Sequence, residues 1–214
     1  MDEQLKELIQ SFDFKEYFKK KNYCYFDKGK YNLNIIGIRN KNHKVTNKFD
    51  DALVLIYKIN IDSKERKVIF PITTDAGLTY METPITTKGT AILVPNQYRG
   101  CFQIGKHQNK YTALVQRKPV SVYRDRNKDL TYDMNDNTIE TGMFGINIHR
   151  SNPYYASQKI DKYSAGCQVF QTPYDFNSFM KLCEKQRALY GNSFTYTLLT
   201  QEELEHETEY TNNN

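Results

Sequence analysis

The two residues of this 214-residue chain best suited to chemistry are a histidine and a cysteine that lie 18 positions apart. His149 follows the run 144–148, and Cys167 follows the small residues 164–166. A thiol attacks a carbonyl carbon only as the thiolate, and a neighbouring imidazole can accept its proton and lower its pKa. The pair therefore predicts a cysteine nucleophile with a histidine general base. In papain-like enzymes the cysteine comes first and the histidine far downstream, so this order disfavours papain-type chemistry.

Each of these residues has a simpler interpretation when it is taken alone. A free cysteine is among the most buried residue types and packs as a small apolar side chain. A single histidine on a strand is more often a core residue than a catalyst. The joint occurrence of His149, Gly166 and Cys167 at this spacing favours catalysis over packing.

The pattern around Cys167 resembles the signature of the L,D-transpeptidase (YkuD-like) catalytic domain. That signature is a histidine, a spacer of similar length, and then Ser/Thr-His-Gly-Cys. In this chain fourteen residues separate His149 from Ser164, which is followed by Gly166 and Cys167 at the expected positions.

A second segment extends the resemblance, and two positions depart from it. Residues 82–92 are similar to the strand-entry segment of the family, in which Thr-Pro is followed by Gly-Thr and an apolar strand. The resemblance thus covers roughly residues 35–171. Ala165 stands where the family has a second histidine, and Gln168-Val169 stands where it usually has an apolar residue and then Asn or Arg.

The resemblance implies a role for each residue of the catalytic motif. It makes Cys167 the nucleophile, His149 the general base, and Arg150 the residue whose backbone carbonyl orients the imidazole. Gly166 would allow a turn in which backbone N–H groups near Cys167 face the developing oxyanion, because glycine accepts backbone conformations that other residues avoid.

Ser164 and Ala165 are the expected substrate-binding positions. The Ser164 hydroxyl would bond either to the turn or to a substrate carboxylate. The implied reaction is attack on the carbonyl of an L-residue joined to a D-residue in a peptidoglycan stem peptide, which leaves a thioester and requires no cofactor. An amine would resolve the thioester as a cross-link, whereas water would make the protein a carboxypeptidase or endopeptidase. Ala165 predicts a roomier site in which hydrolysis exceeds cross-linking.

The cysteine pattern gives no indication of a metal site or a disulfide framework. No Cys-x-x-Cys pair and no ligand spacing with histidine occurs, so zinc is not expected and reduced thiols are. Residues 125–136 place Asp and Asn at intervals that echo a calcium loop, although Leu130 stands where such a loop has glycine. Turn-forming Asp and Asn explain the same composition, so calcium stays a minority hypothesis. The cysteines are Cys24, Cys101, Cys167 and Cys183.

The charge of the chain is unevenly distributed. The net charge is +5, but residues 201–214 carry five Glu and no Lys or Arg, so the first 200 residues carry +10. Such a surface attracts anionic polymers. No recognised nucleic-acid motif accompanies the charge, so specific nucleic-acid binding is not expected. No apolar run approaches the roughly 20 residues of a membrane helix, so no membrane span is predicted.

The N-terminal residues predict how the protein would reach its substrate. Residues 1–6 lack the basic start, apolar run and cleavage site of a secretory signal. The expectation is a protein that is made in a host cytoplasm and acts at the cell wall, because residues 31–199 also resemble phage-encoded proteins of the L,D-transpeptidase type, which leave through lysis or with a virion. The favoured function is phage cell-wall remodelling or lysis, as in an endolysin. The alternatives are a catalytically inactive virion structural or cell-wall-binding protein that retains the fold, and a different cysteine hydrolase.

Short segments rich in β-branched and aromatic residues predict that strands position the motif. The expected fold is mainly β, a YkuD-like β-sandwich-type catalytic domain over residues 31–200. Nine strands are predicted, at residues 33–38, 53–59, 68–72, 90–94, 111–115, 120–123, 144–149, 167–171 and 194–199.

Two helices are predicted beside these strands. Leu5, Leu8, Ile9 and Phe12 recur at one-face spacing and predict a helix within an N-terminal extension over residues 1–30. Residues 201–214, acidic and ending in asparagines, predict a disordered tail.

The second helix is predicted near the end of the domain. Thr172 and Pro173 can begin it, and Gly191 can end it. Its apolar face should lie on the sheet and should make Cys183 a core residue.

Overall fold

The computed structural model describes residues 1–212, which form eleven β-strands and five α-helices. The chain is mainly β, as predicted, although it has more helices than the two expected. Among the described residues, no helix is both long and apolar enough to cross a membrane. The strands are β1 (Asn34–Arg39), β2 (Asp51–Tyr57), β3 (Arg66–Thr73), β4 (Thr90–Leu93), β5 (Asn96–His107), β6 (Tyr111–Gln116), β7 (Val120–Asp125), β8 (Glu140–Gly142), β9 (Ile148–Arg150), β10 (Gln168–Phe170) and β11 (Phe194–Thr200). The helices are α1 (Glu3–Ser11), α2 (Phe14–Lys20), α3 (Leu78–Glu82), α4 (Pro173–Tyr190) and α5 (Gln201–Asn212).

Eight strands close into a barrel in the order β1, β11, β5, β6, β9, β10, β3, β2. The strands β4, β7 and β8 form a separate three-stranded sheet. Two pairs in the barrel are parallel, β1 with β11 and β9 with β10. The sequence predicted a sandwich-type arrangement. In the structure, β1 and β2 stand at the two ends of this strand order and also pair with each other, so the main sheet closes on itself.

The interior of the barrel is apolar and is covered by α4. This helix places Phe176, Phe179 and Cys183 in the main core. Fully burying a phenylalanine side chain contributes about 1.5–3 kcal/mol, so this face accounts for much of the attachment of the helix. The predicted ends are confirmed, because the Thr172 side chain caps the first turn and Gly191 follows the last.

A second apolar cluster lies between the N-terminal helices and one side of the barrel. Residues of α1 and α2 pack on β1 and β2 together with Leu204 of α5. The predicted N-terminal helix is thus two helices. The second begins after Asp13, whose side chain accepts a hydrogen bond from the Glu16 N–H and caps the first turn of α2.

The prediction of a disordered tail over residues 201–214 is wrong for its described part. Helix α5 begins with a reciprocal capping box, in which the Glu203 N–H donates to Thr200 Oγ1 at 3.3 Å and the Thr200 N–H donates to Glu203 Oε2 at 2.9 Å. Residues 213–214 lie outside the described part of the chain. The many glutamates of this segment suggested disorder, although Thr200 and Glu203 have the spacing of a capping box.

Helix α5 is also held against the rest of the molecule. The Leu204 side chain is fully buried. The glutamates that suggested disorder pair with lysines from other segments, with Glu203 at 3.0 Å from Lys21 and Glu205 at 2.8 Å from Lys41. Lysines from the basic first 200 residues therefore balance the negative charge of the acidic segment.

All nine predicted strands overlap observed ones, but two strands were missed. The longest, β5, contains Gly100 and Gly105, which resemble turn positions in the sequence. Gly100 has φ of +58°, and the pairing of β5 with β11 shifts register nearby. A β-bulge therefore explains a glycine inside this strand. The other missed strand, β8, has three residues.

Candidate functional site

The parallel pairing of β9 and β10 brings the predicted base and nucleophile to the same region. His149 lies opposite Val169, and Ile148 lies opposite Gln168. Cys167 comes immediately before β10, where the Asn147 N–H lies 3.5 Å from its Sγ. Two residues that are 18 positions apart in the sequence are thus brought to neighbouring strands.

His149 and Cys167 line one cavity of about 520 Å³, hereafter the site cavity. Both residues therefore face one cleft. The volume lies within the usual range for small-molecule pockets. Its described lining holds no Asp or Glu, whereas Arg124 and Lys162 contribute two cations. Arg124 is paired with Glu140 at 3.1 Å.

The imidazole of His149 is held in one orientation and one tautomer. Its Nδ1 lies 2.8 Å from the carbonyl oxygen of Arg150, the contact that the resemblance implies. Because a carbonyl only accepts, Nδ1 carries the proton and Nε2 keeps its lone pair. The Tyr111 hydroxyl donates to the same carbonyl at 3.1 Å. The side chain is only 4% exposed, and burial, followed by the neighbouring His107, lowers the pKa of His149 to about 3.

The thiol of Cys167 is protonated in this environment. Its Sγ donates to the Gly145 carbonyl at 3.4 Å. Burial raises the pKa of the Cys167 thiol to about 11, although the Asn147 N–H lowers it. The expectation that the imidazole lowers the thiol pKa is therefore not met, because burial is the dominant influence and the opposing one comes from the Asn147 N–H. The resting site holds a neutral thiol and a neutral imidazole.

Ser164 is a structural residue of the turn that carries Cys167, hereafter the Cys167 turn (residues 164–167). Its hydroxyl donates to the Cys167 carbonyl at 2.8 Å and accepts from the Gly166 N–H at 3.1 Å. It is 1% exposed and does not line the site cavity. Of the two alternatives predicted for Ser164, the structure shows the bond to the turn, which occupies both functions of its hydroxyl.

Gly166 is required by the geometry of the same turn. Its φ is +118°, and a Cβ there would lie 2.3 Å from the carbonyl oxygen of Ala91. Its own N–H is occupied by Ser164, so it is not a free oxyanion donor. Among the described residues no acceptor is assigned to the N–H of Cys167. That group, like the N–H of Ala165 in the same turn, is available to a ligand.

The other two predicted site residues occupy different environments. Ala165 lines the site cavity, as expected of a residue beside substrate. The guanidinium of Arg150 lies 4.3 Å from the ring centroid of Tyr111 and contributes no lining to the cavity. Arg150 therefore acts on the site through its backbone carbonyl.

Gln168 supports the Cys167 turn through side-chain hydrogen bonds. It is fully buried, and its Oε1 accepts from the Tyr196 hydroxyl at 2.6 Å. Its Nε2 donates to the Thr74 carbonyl at 3.2 Å and to the Gly166 carbonyl at 3.4 Å. Gln168 thus links the turn by hydrogen bonds to β11 and to the segment after β3.

Three residues of the site were missed in the sequence. His107 and Asn147 line the cavity, and Tyr111 touches His149. His107 ends β5, the strand that was not predicted, and pairs with Tyr111 of β6 across the hairpin. The signal available for this hairpin was the adjacent Gln108-Asn109, both of which have positive φ.

The calcium hypothesis finds no assembled ligand set. Asp125 accepts from the Asp133 N–H at 3.1 Å, and the Asn127 side-chain amide donates to Asp129 and Asp133. These groups stabilise the turns of the segment. In the part of the chain that the structure describes, no group of three or more His, Cys, Asp or Glu residues is placed to hold a metal ion.

Comparisons of the chain with protein-family models, with curated proteins and with solved structures give no match in any of the three. The functional assignment therefore depends on the chemistry of the site itself. The elements that matter are the thiol, the oriented imidazole, the free N–H of Cys167 and the cationic cavity wall.

Proposed function

We propose that this protein performs cysteine-dependent acyl transfer on peptidoglycan stem peptides, as an L,D-transpeptidase or an L,D-carboxypeptidase/endopeptidase. The observation that carries the proposal is one cavity lined by Cys167 and by a His149 whose Nε2 lone pair is free. A YkuD-like fold is part of the proposal, and the position of the pair at the ends of two adjacent parallel strands supports it. In a phage setting the activity would serve cell-wall remodelling or lysis.

The first step forms the thioester. As the substrate carbonyl enters, the thiol proton of Cys167 moves to His149 Nε2 and the S–C bond forms. The tetrahedral oxyanion accepts a hydrogen bond from the N–H of Cys167, a donor that the turn leaves available. The C–N bond to the D-residue then breaks, and its amine leaves with the proton from Nε2. His149 returns to its neutral form.

The second step releases the acyl group. His149 Nε2 accepts a proton from water or from an acceptor amine, which attacks the thioester carbonyl. Collapse of the second oxyanion breaks the S–C bond, and the proton returns to Sγ. Ala165 presents only a methyl group beside the nucleophile. Water therefore has access, and hydrolysis is expected to exceed cross-linking.

The charge of the site cavity supports an acidic peptide as substrate. The lining contains Lys162, which is exposed, and Arg124, which is paired with Glu140. With no carboxylate among the described lining residues, the field at the entrance favours anions. Stem peptides carry free carboxylates, so their charge matches this entrance.

A binding protein that retains the fold without activity is the second candidate. The observation that favours it is the resting protonation, because burial raises the pKa of Cys167 to about 11 and lowers that of His149 to about 3. Such a site holds no preformed thiolate. The two candidates differ in whether a covalent acyl-enzyme forms.

One experiment separates these candidates. The wild type, Cys167→Ala and His149→Gln proteins are incubated with a stem tetrapeptide, with and without a competing amine, and the protein and products are weighed by mass spectrometry. The proposal expects a thioester adduct and free tripeptide from the wild type alone. Peptide binding without adduct or product in the wild type would indicate the binding protein. An amine adduct in excess of tripeptide would show that transpeptidation dominates.

A further inference from the structure

Two histidine side chains, not one, face the site cavity beside Cys167. The ring of His107 stacks on the ring of His149, with centroids 4.0 Å apart and an interplanar angle of 21°. His107 is buried and lines the same cavity. The reaction proposed above uses only His149, so the second imidazole has no role in it.

The hydrogen bonds around His107 fix where its proton lies. The Gln116 N–H donates to Asn147 Oδ1 at 2.9 Å, which fixes the orientation of the Asn147 amide. Asn147 Nδ2 then lies 3.0 Å from His107 Nδ1. An amide nitrogen only donates, so Nδ1 must accept and the proton of His107 is on Nε2.

The two stacked rings are therefore opposite tautomers. His149 donates from Nδ1 to the Arg150 carbonyl and keeps a lone pair on Nε2. His107 accepts at Nδ1 and carries N–H on Nε2. One ring presents a proton acceptor, whereas the other presents a hydrogen-bond donor.

The surroundings of His107 keep it neutral. A second proton on its Nδ1 would face the N–H of the Asn147 amide. Burial and the nearby Lys110 also lower the pKa of His107. Two cationic rings in this stack would repel one another, so a neutral His107 allows His149 to accept the thiol proton.

We propose that His107 is a neutral hydrogen-bond donor to the substrate, with its Nε2–H on the carbonyl oxygen that becomes the oxyanion after attack by Cys167. Its proton stays on Nε2 throughout, and His149 performs the proton transfers. Ala165, beside the nucleophile, carries only a methyl group and cannot donate a hydrogen bond from its side chain. The side-chain donor therefore comes from His107 at the end of β5. The inference rests on the proposed function and adds a second substrate-contacting imidazole to it.

Two substitutions of His107 separate donation from stacking. His107→Gln keeps an N–H near the position of Nε2 but loses the ring, whereas His107→Phe keeps a ring against His149 but loses the donor. With a stem tetrapeptide, His107→Phe should lower kcat about 100-fold or more with little change in KM, as removal of an oxyanion donor does. His107→Gln should stay within about tenfold of wild type. Thermal unfolding of both variants checks that they fold.

Two kinetic outcomes would overturn the assignment. Activity of His107→Phe within about twofold of wild type would show that no donor is needed. Equal losses in the Phe and Gln variants, with both folded, would show that the ring acts by packing rather than by donation.

A measurement without turnover keeps the test independent of the proposed function. Nitrogen-15 NMR of the histidine rings of Cys167→Ala at pH 7 should show His107 as the neutral Nε2–H tautomer, with that proton moving downfield when the stem tetrapeptide is added. As a control, Asn147→Asp keeps the acceptor for the Gln116 N–H and should move the His107 proton to Nδ1. A wild-type enzyme without turnover would sink the proposed function alone. An Nδ1–H tautomer in the absence of peptide would sink the assignment of His107, and so would a His107 proton that does not respond to peptide when the wild-type enzyme does turn the peptide over.

Discussion

Cys167 and Cys183 lie on two segments that are fixed by different kinds of interaction. The Cys167 turn rests on hydrogen bonds from Ser164 and Gln168. Helix α4, which carries Cys183, rests on aromatic rings of the core. Burial raises the pKa of both thiols, but only Cys167 reaches a cavity with an oriented imidazole. Burial alone therefore does not distinguish the proposed nucleophile from a core residue, whereas polar partners and access do.

The largest contrast is expected when each cysteine is replaced by alanine. Cys167→Ala should lower turnover of a stem tetrapeptide by about 1000-fold or more and leave stability nearly unchanged. Cys183→Ala should keep the activity and lower the free energy of unfolding by about 1–2 kcal/mol, because it removes a small apolar group from the core. Turnover assays and urea unfolding of both variants check this. Equal changes of activity and stability in the two variants would show that Cys167 is a core residue like Cys183.

Acid should destabilise the protein through His149. Its folded-state pKa is lowered, so the unfolded chain binds the proton more readily and stability falls as pH drops below about 6.5. Between pH 6.5 and 4.5 the loss should reach about 2–3 kcal/mol. The groups around the ring are His107, Tyr111 and the Arg150 carbonyl.

The matched variant for this prediction is His149→Gln. Urea unfolding from pH 4.5 to 7.5 should give it a flatter pH profile than wild type. Parallel profiles would mean that His149 is charged as easily in the folded state as in the unfolded state. Turnover of the wild type should also persist to about pH 5, because the base remains unprotonated there.

The hydrogen bond beneath the Cys167 turn should behave as a coupled pair. Gln168→Leu leaves the Tyr196 hydroxyl buried without its acceptor and should cost about 1–3 kcal/mol of stability, with a loss of turnover. Tyr196→Phe removes the other partner. The double variant should be more stable than the sum of the two losses, by about 1 kcal/mol, while activity stays low. Strict additivity in urea unfolding would show that the turn is held by packing, like α4.

The smallest effect is expected at the start of α5. Thr200→Ala removes the capping side chain and should cost about 1 kcal/mol, with faster amide hydrogen exchange in the first turn of the helix. Thr208→Ala, in the same helix, is the control and should be nearly neutral, since its hydroxyl bonds only to the Leu204 carbonyl. Turnover should be unchanged in both. Equal exchange in the two variants would contradict the capping box.

Local signals explain what could be predicted from the sequence. The ends of α4 follow from Thr172 and Gly191, which act within one turn of the chain. Strand positions follow from β-branched and aromatic segments in the same local way. The meeting of His149 with Cys167 depends on which strands pair, and the spacing alone does not determine that pairing.

The predictions that failed depend on distant partners. The lysines that hold α5 lie about 160 to 190 positions away in the sequence, so composition alone indicated a free tail. His107 was concealed because β5 bends at a glycine, and its contact with His149 exists only when three strands assemble.

The position of β11 in the barrel has a consequence for synthesis. This strand is the last of the described chain, yet it lies between β1 and β5 and supplies the tyrosine that holds Gln168. A ribosome must therefore deliver residues 194–200 before the barrel can close and before the Cys167 turn gains its support. Until then the edges of β1 and β5 are open to pairing with other chains, which is an aggregation hazard. A nascent or truncated chain that lacks residues 194–200 should thus be inactive, and competence arrives only once this strand has been synthesised.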